Sequence, residues 1–199
     1  MHIIGITGGV GAGKSEIIKY LSEHYGVDIA KADEIGHLGL QQDSVCYSHI
    51  IDLLGSDIID EGGLLNREKI SAIVHADKEK LTHLDAILHP FVKQCIIKMI
   101  IDARELGKQY FFIEAALLLE DNYDQICDEV WYIYAKNDIR CGRLSKSRGY
   151  SKEKINQIMA NQLTEDEFRN KCDFVIDNSD EFVKTIKQID SRMQKYEIM

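Results

Sequence analysis

Gly8-Gly9-Val10-Gly11-Ala12-Gly13-Lys14-Ser15 follows the apolar run Ile3-Ile4-Gly5-Ile6 and leads into the first stretch with helical periodicity. The G-x-x-x-x-G-K-S spacing between a strand and a helix is a phosphate cradle. Its glycines let successive backbone N–H groups point at phosphate oxygens, and the helix beginning at Lys14 adds its positive end. Lys14 can reach the transferred phosphate, and Ser15 is left to hold Mg²⁺.

Working outward, the 199 residues and 45% apolar content suit one sizeable core with at most a small appended subdomain. The net charge of −9 argues against sequence-independent tracking along nucleic acid, which needs a broad positive surface. An anionic substrate must then meet locally placed Lys and Arg. The five cysteines are odd in number and contain no C-x-x-C pair, so reduced thiols in a cytoplasmic protein are expected. The opening MHIIGITGG lacks a basic export region, and Cys95 to Ile101 is broken by Lys98, so neither a signal nor a membrane span is expected.

Period-2 or continuous β-branched runs predict strands at Ile3–Thr7, Val27–Ala30, Tyr110–Glu114, Val130–Tyr134 and Phe174–Ile176. Helical periodicity predicts helices at Lys14–His24, about Ser44–Leu54, Arg67–Val74, Lys78–Leu88, Pro90–Leu106, Ile139–Ser147, Lys152–Asn161 and Glu181–Tyr196. Strands alternating with helices imply an α/β fold, its mostly parallel sheet covered on both faces. From Asp33 to Tyr110 only helices and glycine turns are read, which marks a helical insert packed to the core.

Asp33 follows the second strand, at the edge where sites of open α/β sheets gather. It either orients an attacking hydroxyl or caps a helix starting at Glu34. Glu114 closes the third strand and either holds Mg²⁺ or is a solvated terminal charge. After the fourth strand comes the basic stretch Arg140 to Arg148. Arg140 and Arg143 share a helix face, Arg148 sits near the helix end before Gly149, and such a stretch can close over a triphosphate. A plain solvated face accounts best for Arg140. Asn170-Lys171-Cys172-Asp173 spells a guanine-reading N-K-x-D, yet a strand follows it rather than precedes it, so it reads as a chance match. His89 precedes the only proline and is either a helix-start residue or a substrate contact.

Several of these segments together resemble the dephospho-CoA kinases, which complete coenzyme A synthesis. Gly5-Ile6-Thr7-Gly8-Gly9-Val10-Gly11-Ala12-Gly13-Lys14-Ser15 is similar to that family's opening loop, and Ala32-Asp33 to the end of its D-A-D motif. Leu88-His89-Pro90-Phe91-Val92 is similar to its H-P-x-V segment, and Ala116-Leu117-Leu118-Leu119-Glu120 to its P-L-L-F-E. Gln162 matches a recurrent glutamine after the lid helices, and Asp173 to Asn178 resembles the family's closing strand motif. Lys31, Glu16 and Ala116 depart from the family pattern. So do the five-residue spacing of Arg143 and Arg148 and the arginine at 140, where glutamine is frequent.

The resemblance implies a three-layer P-loop kinase fold with a five-stranded parallel sheet. Core segments 1–32, 107–138 and 171–199 would be joined by a helical acceptor-binding insert at about 33–106 and a lid at about 139–170. The implied reaction is transfer of the γ-phosphate of Mg·ATP to the ribose 3′-hydroxyl of dephospho-CoA. Gly9, Val10, Gly11, Ala12, Gly13, Lys14, Ser15, Glu16 and Asn178 would contact nucleotide, and Ser15 and Glu114 the metal. Lys14, Asp33, Arg143 and Arg148 would be catalytic, and Thr7, Asp33 and His89 would face the acceptor. A nucleoside or nucleotide kinase, or a P-loop ATP-binding regulator without an acceptor, are the alternatives.

Overall fold

A computed structural model describes residues 1–198, with side chains through residue 196. In chain order the elements are β1 His2–Thr7, α1 Lys14–Tyr25, β2 Asp28–Lys31, α2 Ala32–Leu38, α3 Tyr47–Leu54, α4 Arg67–Ala76, α5 Lys78–Glu105 and β3 Tyr110–Glu114. They continue with β4 Glu129–Tyr134, α6 Asn137–Arg148, α7 Lys152–Ala160, α8 Glu165–Lys171, β5 Phe174–Asp177 and α9 Phe182–Ile198. Two compact units result, one formed by Met1–Ile29 with Gly107–Met199 and the other by Ala30–Leu106.

The five strands form one sheet in the order β2-β3-β1-β4-β5. Parallel registers place Ile3 beside Phe111, Ile6 beside Glu114, Thr7 beside Tyr132 and Trp131 beside Phe174. The first unit's core is built on Ile4, Ile6, Phe112, Trp131 and Ile133, covered by Ile17 and Leu21 of α1 and by Ile189 and Met193 of α9. Such continuous burial is what a parallel sheet with helices on both faces requires, and it explains why these strands read as apolar runs rather than alternating ones.

Carboxylates close the amino edge of this sheet. Asp128 Oδ2 accepts from Ile3 N at 2.7 Å and Asp173 Oδ2 from Val130 N at 2.8 Å. Asp173 therefore satisfies a strand-end donor at the edge away from the glycine loop, as expected for a chance N-K-x-D. Glu129 is buried at the start of β4. Its carboxylate accepts from Trp131 Nε1 at 2.7 Å, Tyr196 Oη at 2.7 Å, and Arg192 Nε and Nη2 at 2.8 and 2.6 Å. Burial alone would push this carboxyl up, but the hydrogen bonds from Arg192, Tyr196 and Trp131 outweigh it and hold the group below its ordinary value. Its stabilising contribution is present above the unfolded carboxyl pKa and is lost as pH falls through the lower folded one. Glu129→Gln, which strands the Arg192 charge, is expected to cost about 3 kcal/mol in urea unfolding at pH 7. The gap to the parent should narrow progressively below about pH 4.

Apart from the end of β2 and an isolated antiparallel bridge, Ile59 to Leu65, the second unit is helical. Ile50, Leu54, Ile58, Ile70, Val74 and Leu84 form its core. One expectation is corrected here. Pro90 does not begin a new helix, because α5 runs unbroken from Lys78 to Glu105 with Pro90 inside it. An interior proline forfeits the hydrogen bond to the Ala86 carbonyl at about 3 kcal/mol. Leu84 before it and Val92, Ile96 and Ile100 after it are all buried, each worth about 1.5–3 kcal/mol. That packing offsets the break, and both halves stay in one continuous helix. Two short helices also go beyond the expected set, α2 and α8. The latter starts at a complete capping box, in which Thr164 Oγ1 accepts from Glu167 N while Glu167 accepts from Thr164 N.

Candidate active site

The glycine loop links β1 to α1 at the carboxyl edge of the sheet. Gly13 stands at the N-cap of α1 with φ 95° and offers no side-chain acceptor to the first turn, which is the end of a helix where an anion takes that place. A side chain at Gly13 is barred twice, by this left-handed backbone and by Asn178 Nδ2, which fills the space a Cβ would need. Lys14 Nζ donates to Gly8 O at 2.7 Å, bridging the two ends of the loop. Ser15 and Glu16 are exposed on the first turn.

Two arginines on successive turns of α6 grip the loop from outside. Arg143 Nη1 donates to Ala12 O at 3.1 Å and its Nη2 to Asn178 O at 2.9 Å. Arg140 Nε donates to Val10 O at 2.9 Å. Neither guanidinium has a carboxylate partner among the described residues, so both charges are answered only by neutral acceptors. Placed beside a phosphate cradle, they raise the local positive potential of a protein that is acidic as a whole. The solvated face expected at Arg140 is corrected, since burial pulls its guanidinium pKa down from the ordinary value and its hydrogen bonds are to the loop. Arg148 is instead the exposed one, at the end of α6 with its Cζ 5.9 Å from the Tyr150 ring centroid.

Asn178 is buried, donating to Ala12 O at 2.8 Å and accepting from Thr185 Oγ1 at 2.8 Å. It braces the loop from beneath. Thr7, the last residue of β1, is fully buried, and its hydroxyl makes no hydrogen bond among the described residues. Glu114 lies across from Ile6, two residues before the loop starts. No group of three His, Cys, Asp or Glu side chains that could hold a metal occurs among the described residues. An ion here would rest on one or two protein oxygens and the nucleotide's own phosphates, as Mg²⁺ does.

In the helical unit Asp33 is exposed in the first turn of α2, whose N-cap is Lys31. Asp33 therefore caps nothing, and that explanation of its presence falls. One turn on, His37 lines a cavity of about 680 Å³ together with Leu40, Gln41, Asp43, Leu65 and Arg67. Residues four apart on a helix are neighbours, so Asp33 and the cavity-lining His37 share one side of α2. His89, in the middle of α5, has its Nε2 3.8 Å from Asp85 Oδ1. Gln162 and Arg140 are the loop-contacting residues that sequence reasoning did not place at the site. A face pattern locates a helix side, not the element it packs against.

Comparison with known proteins follows the same lines. The family model described as dephospho-CoA kinase matches residues 2–184. A dephospho-CoA kinase of Dehalococcoides mccartyi is 36% identical over 92% of this chain and 91% of its own length. One from Carboxydothermus hydrogenoformans is 33% identical over 98% and 95%. Among solved structures, dephospho-CoA kinase from Campylobacter jejuni superposes with a TM-score of 0.73 at 22% identity, covering 97% of this chain and 96% of that one. A shikimate kinase from Acinetobacter baumannii in complex with shikimate reaches 0.53 at 16% identity, covering 97% and 92%. These two structural likenesses speak to the α/β kinase fold alone.

Proposed function

This chain belongs to the dephospho-CoA kinase family, and from that premise we propose how its residues share the transfer of phosphate from ATP to dephospho-CoA. The enzyme converts dephospho-CoA and ATP to coenzyme A and ADP, and the acceptor is the ribose 3′-hydroxyl. The loop from Gly9 to Glu16 wraps the β- and γ-phosphates with its backbone. Lys14 leaves Gly8 O for the γ-phosphate, and Asn178 serves the nucleotide side by holding Ala12 in place. Ser15 and Glu114 supply oxygen donors that suit Mg²⁺, which when bound neutralises charge on the phosphates.

Asp33 receives or orients the hydroxyl proton. Thr7, with its unpaired hydroxyl, and His89 face the acceptor in this reading. The cavity lined by His37, one turn beyond Asp33, has the volume of a small-molecule site, and its leucines, glutamines, His37 and Arg67, beside one carboxylate at Asp43, suit a ligand with apolar, amide and charged parts. Phosphoryl transfer has a loose transition state, so positioning and charge neutralisation outweigh proton removal. The observation that carries the reading is a complete G-K-S loop with the Arg143 guanidinium, which has no carboxylate partner among the described residues, set on its Ala12 carbonyl.

Arg143 already touches the loop, whereas Arg148 would join by movement of the lid. Arg148→Ala is expected to lower kcat about tenfold and raise the ATP requirement. An unchanged rate would leave Arg148 as a surface partner of Tyr150. The function itself is tested by ADP release on adding dephospho-CoA, with nucleosides and nucleoside monophosphates as controls. Equal rates with the controls, or ATP hydrolysis indifferent to any acceptor, would overturn it. Among the described residues no helix is long and apolar enough to cross a membrane.

A further inference from the structure

Val10 is the one residue of the glycine loop whose backbone N–H and C=O are both held by side chains from beyond β4. Its N–H donates to Gln162 Oε1 at 3.1 Å, and its carbonyl accepts from Arg140 Nε at 2.9 Å. Arg140 Nη2 donates to that same Gln162 oxygen at 3.0 Å, which closes a three-membered ring of hydrogen bonds. Gln162 follows α7 and Arg140 lies in the first half of α6, so the ring joins both ends of the α6–α7 hairpin to one loop residue. The guanidinium also fills the space above Gly9, where a Cβ would collide with Arg140 Nη2 and Cζ. Both members of the pair are needed. Gln162 alone leaves the Val10 carbonyl unheld, and Arg140 alone leaves its N–H unheld.

We propose that Arg140 and Gln162 form a single latch that presets the Gly9–Val10 arm of the loop for the nucleotide. They act as positioning residues for binding rather than as partners of the transferred phosphate. A loop ordered before the ligand arrives loses less conformational freedom on binding, and that gain appears as nucleotide affinity. The residues that carry the transfer step stay in place without the latch, so kcat changes little.

The inference rests on the proposed nucleotide role of the loop but not on the identity of the acceptor. ADP binding is therefore measured by titration calorimetry on the full chain, without acceptor, beside kcat and KM for ATP. Arg140→Ala and Gln162→Ala are each expected to weaken ADP binding about tenfold and to raise KM for ATP in step. kcat should stay within about threefold, and the double variant should be no worse than either single one. Arg140→Lys should recover no more than part of the affinity, because an ammonium keeps the charge but cannot reach both oxygens as the planar fork does.

Full recovery by lysine would assign the effect to charge alone and overturn the latch. So would additive losses in the double variant, unchanged ADP affinity, or a hundredfold fall in kcat at unaltered affinity. A fall in Tm large enough to leave the variants partly unfolded would also count against it, since Val10, Arg140 and Gln162 all lie outside the hydrophobic core. Normal ADP binding with no transfer to dephospho-CoA would instead count against the acceptor assignment and leave the latch standing.

Discussion

Lys14→Ala is expected to lower kcat at least a hundredfold while leaving the protein folded. The magnitude follows from what a positioned charge does in a loose phosphoryl transfer, where removing one stabilising group typically costs several kcal/mol of barrier. In the structure Lys14 Nζ donates to Gly8 O at 2.7 Å. A carbonyl is a weaker partner than a phosphate oxygen, so incoming ATP can draw the ammonium across. Loss of that hydrogen bond, at a partly exposed position outside the core, costs about 1 kcal/mol of stability. Circular dichroism and a thermal melt close to the parent's would certify the fold. Activity within threefold of the parent would remove the loop from the catalytic account. Lys14→Arg provides the sharper control. It retains charge, but its broader planar head does not fit a site shaped around a point charge, so most of the loss should persist.

The middle of the sheet was legible because β1, β3 and β4 are buried and read as near-continuous apolar runs, whereas the edge strand β2 is mostly half-buried and charged at both ends. Tyr110–Glu114 is seen residue for residue, and the other four strands agree to within a residue or so at each end. Helix ends were harder. Local chemistry at Pro90 argues for a helix start, and the burial of Val92, Ile96 and Ile100 in the same continuous helix, a tertiary effect, overrides it. α8 was legible in principle, since Thr164 and Glu167 spell a capping box, but seven residues are too few for a periodicity to show. The glycine loop could be read from spacing alone because its function dictates its backbone. The arginines could not. Their spacing puts Arg140 and Arg143 on one face, but nothing in the sequence says that Gly9 and Gly11 leave room for that face to lie against the loop. The glycines were read as turns, when they are also the spaces into which α6 packs.

Asp33→Asn is expected to lower kcat by about a hundredfold or more, the range in which a positioned general base contributes, with little change in Tm. The substitution is nearly isosteric and removes only the capacity to carry the charge. Had Asp33 been a helix cap, asparagine would have served as well and activity would barely have moved. The structure removes that alternative, since α2 starts at Ala32 rather than Glu34, with Lys31 at its N-cap and Asp33 exposed in its first turn. An acidic residue there still gains from the helix dipole, by about 0.3–1 kcal/mol, and this sets the upper limit on what the asparagine variant should lose in stability. The effect should be smaller than that of Lys14→Ala, because charge neutralisation outweighs proton removal when the bond to the leaving group is largely broken before attack. The decisive measurement is the ratio of the two kcat losses under saturating ATP and dephospho-CoA. If Asp33→Asn proves the more damaging, proton transfer is further advanced in the transition state than a loose mechanism allows. If it is silent, the carboxylate belongs to acceptor binding or to the surface, and the base must be sought elsewhere.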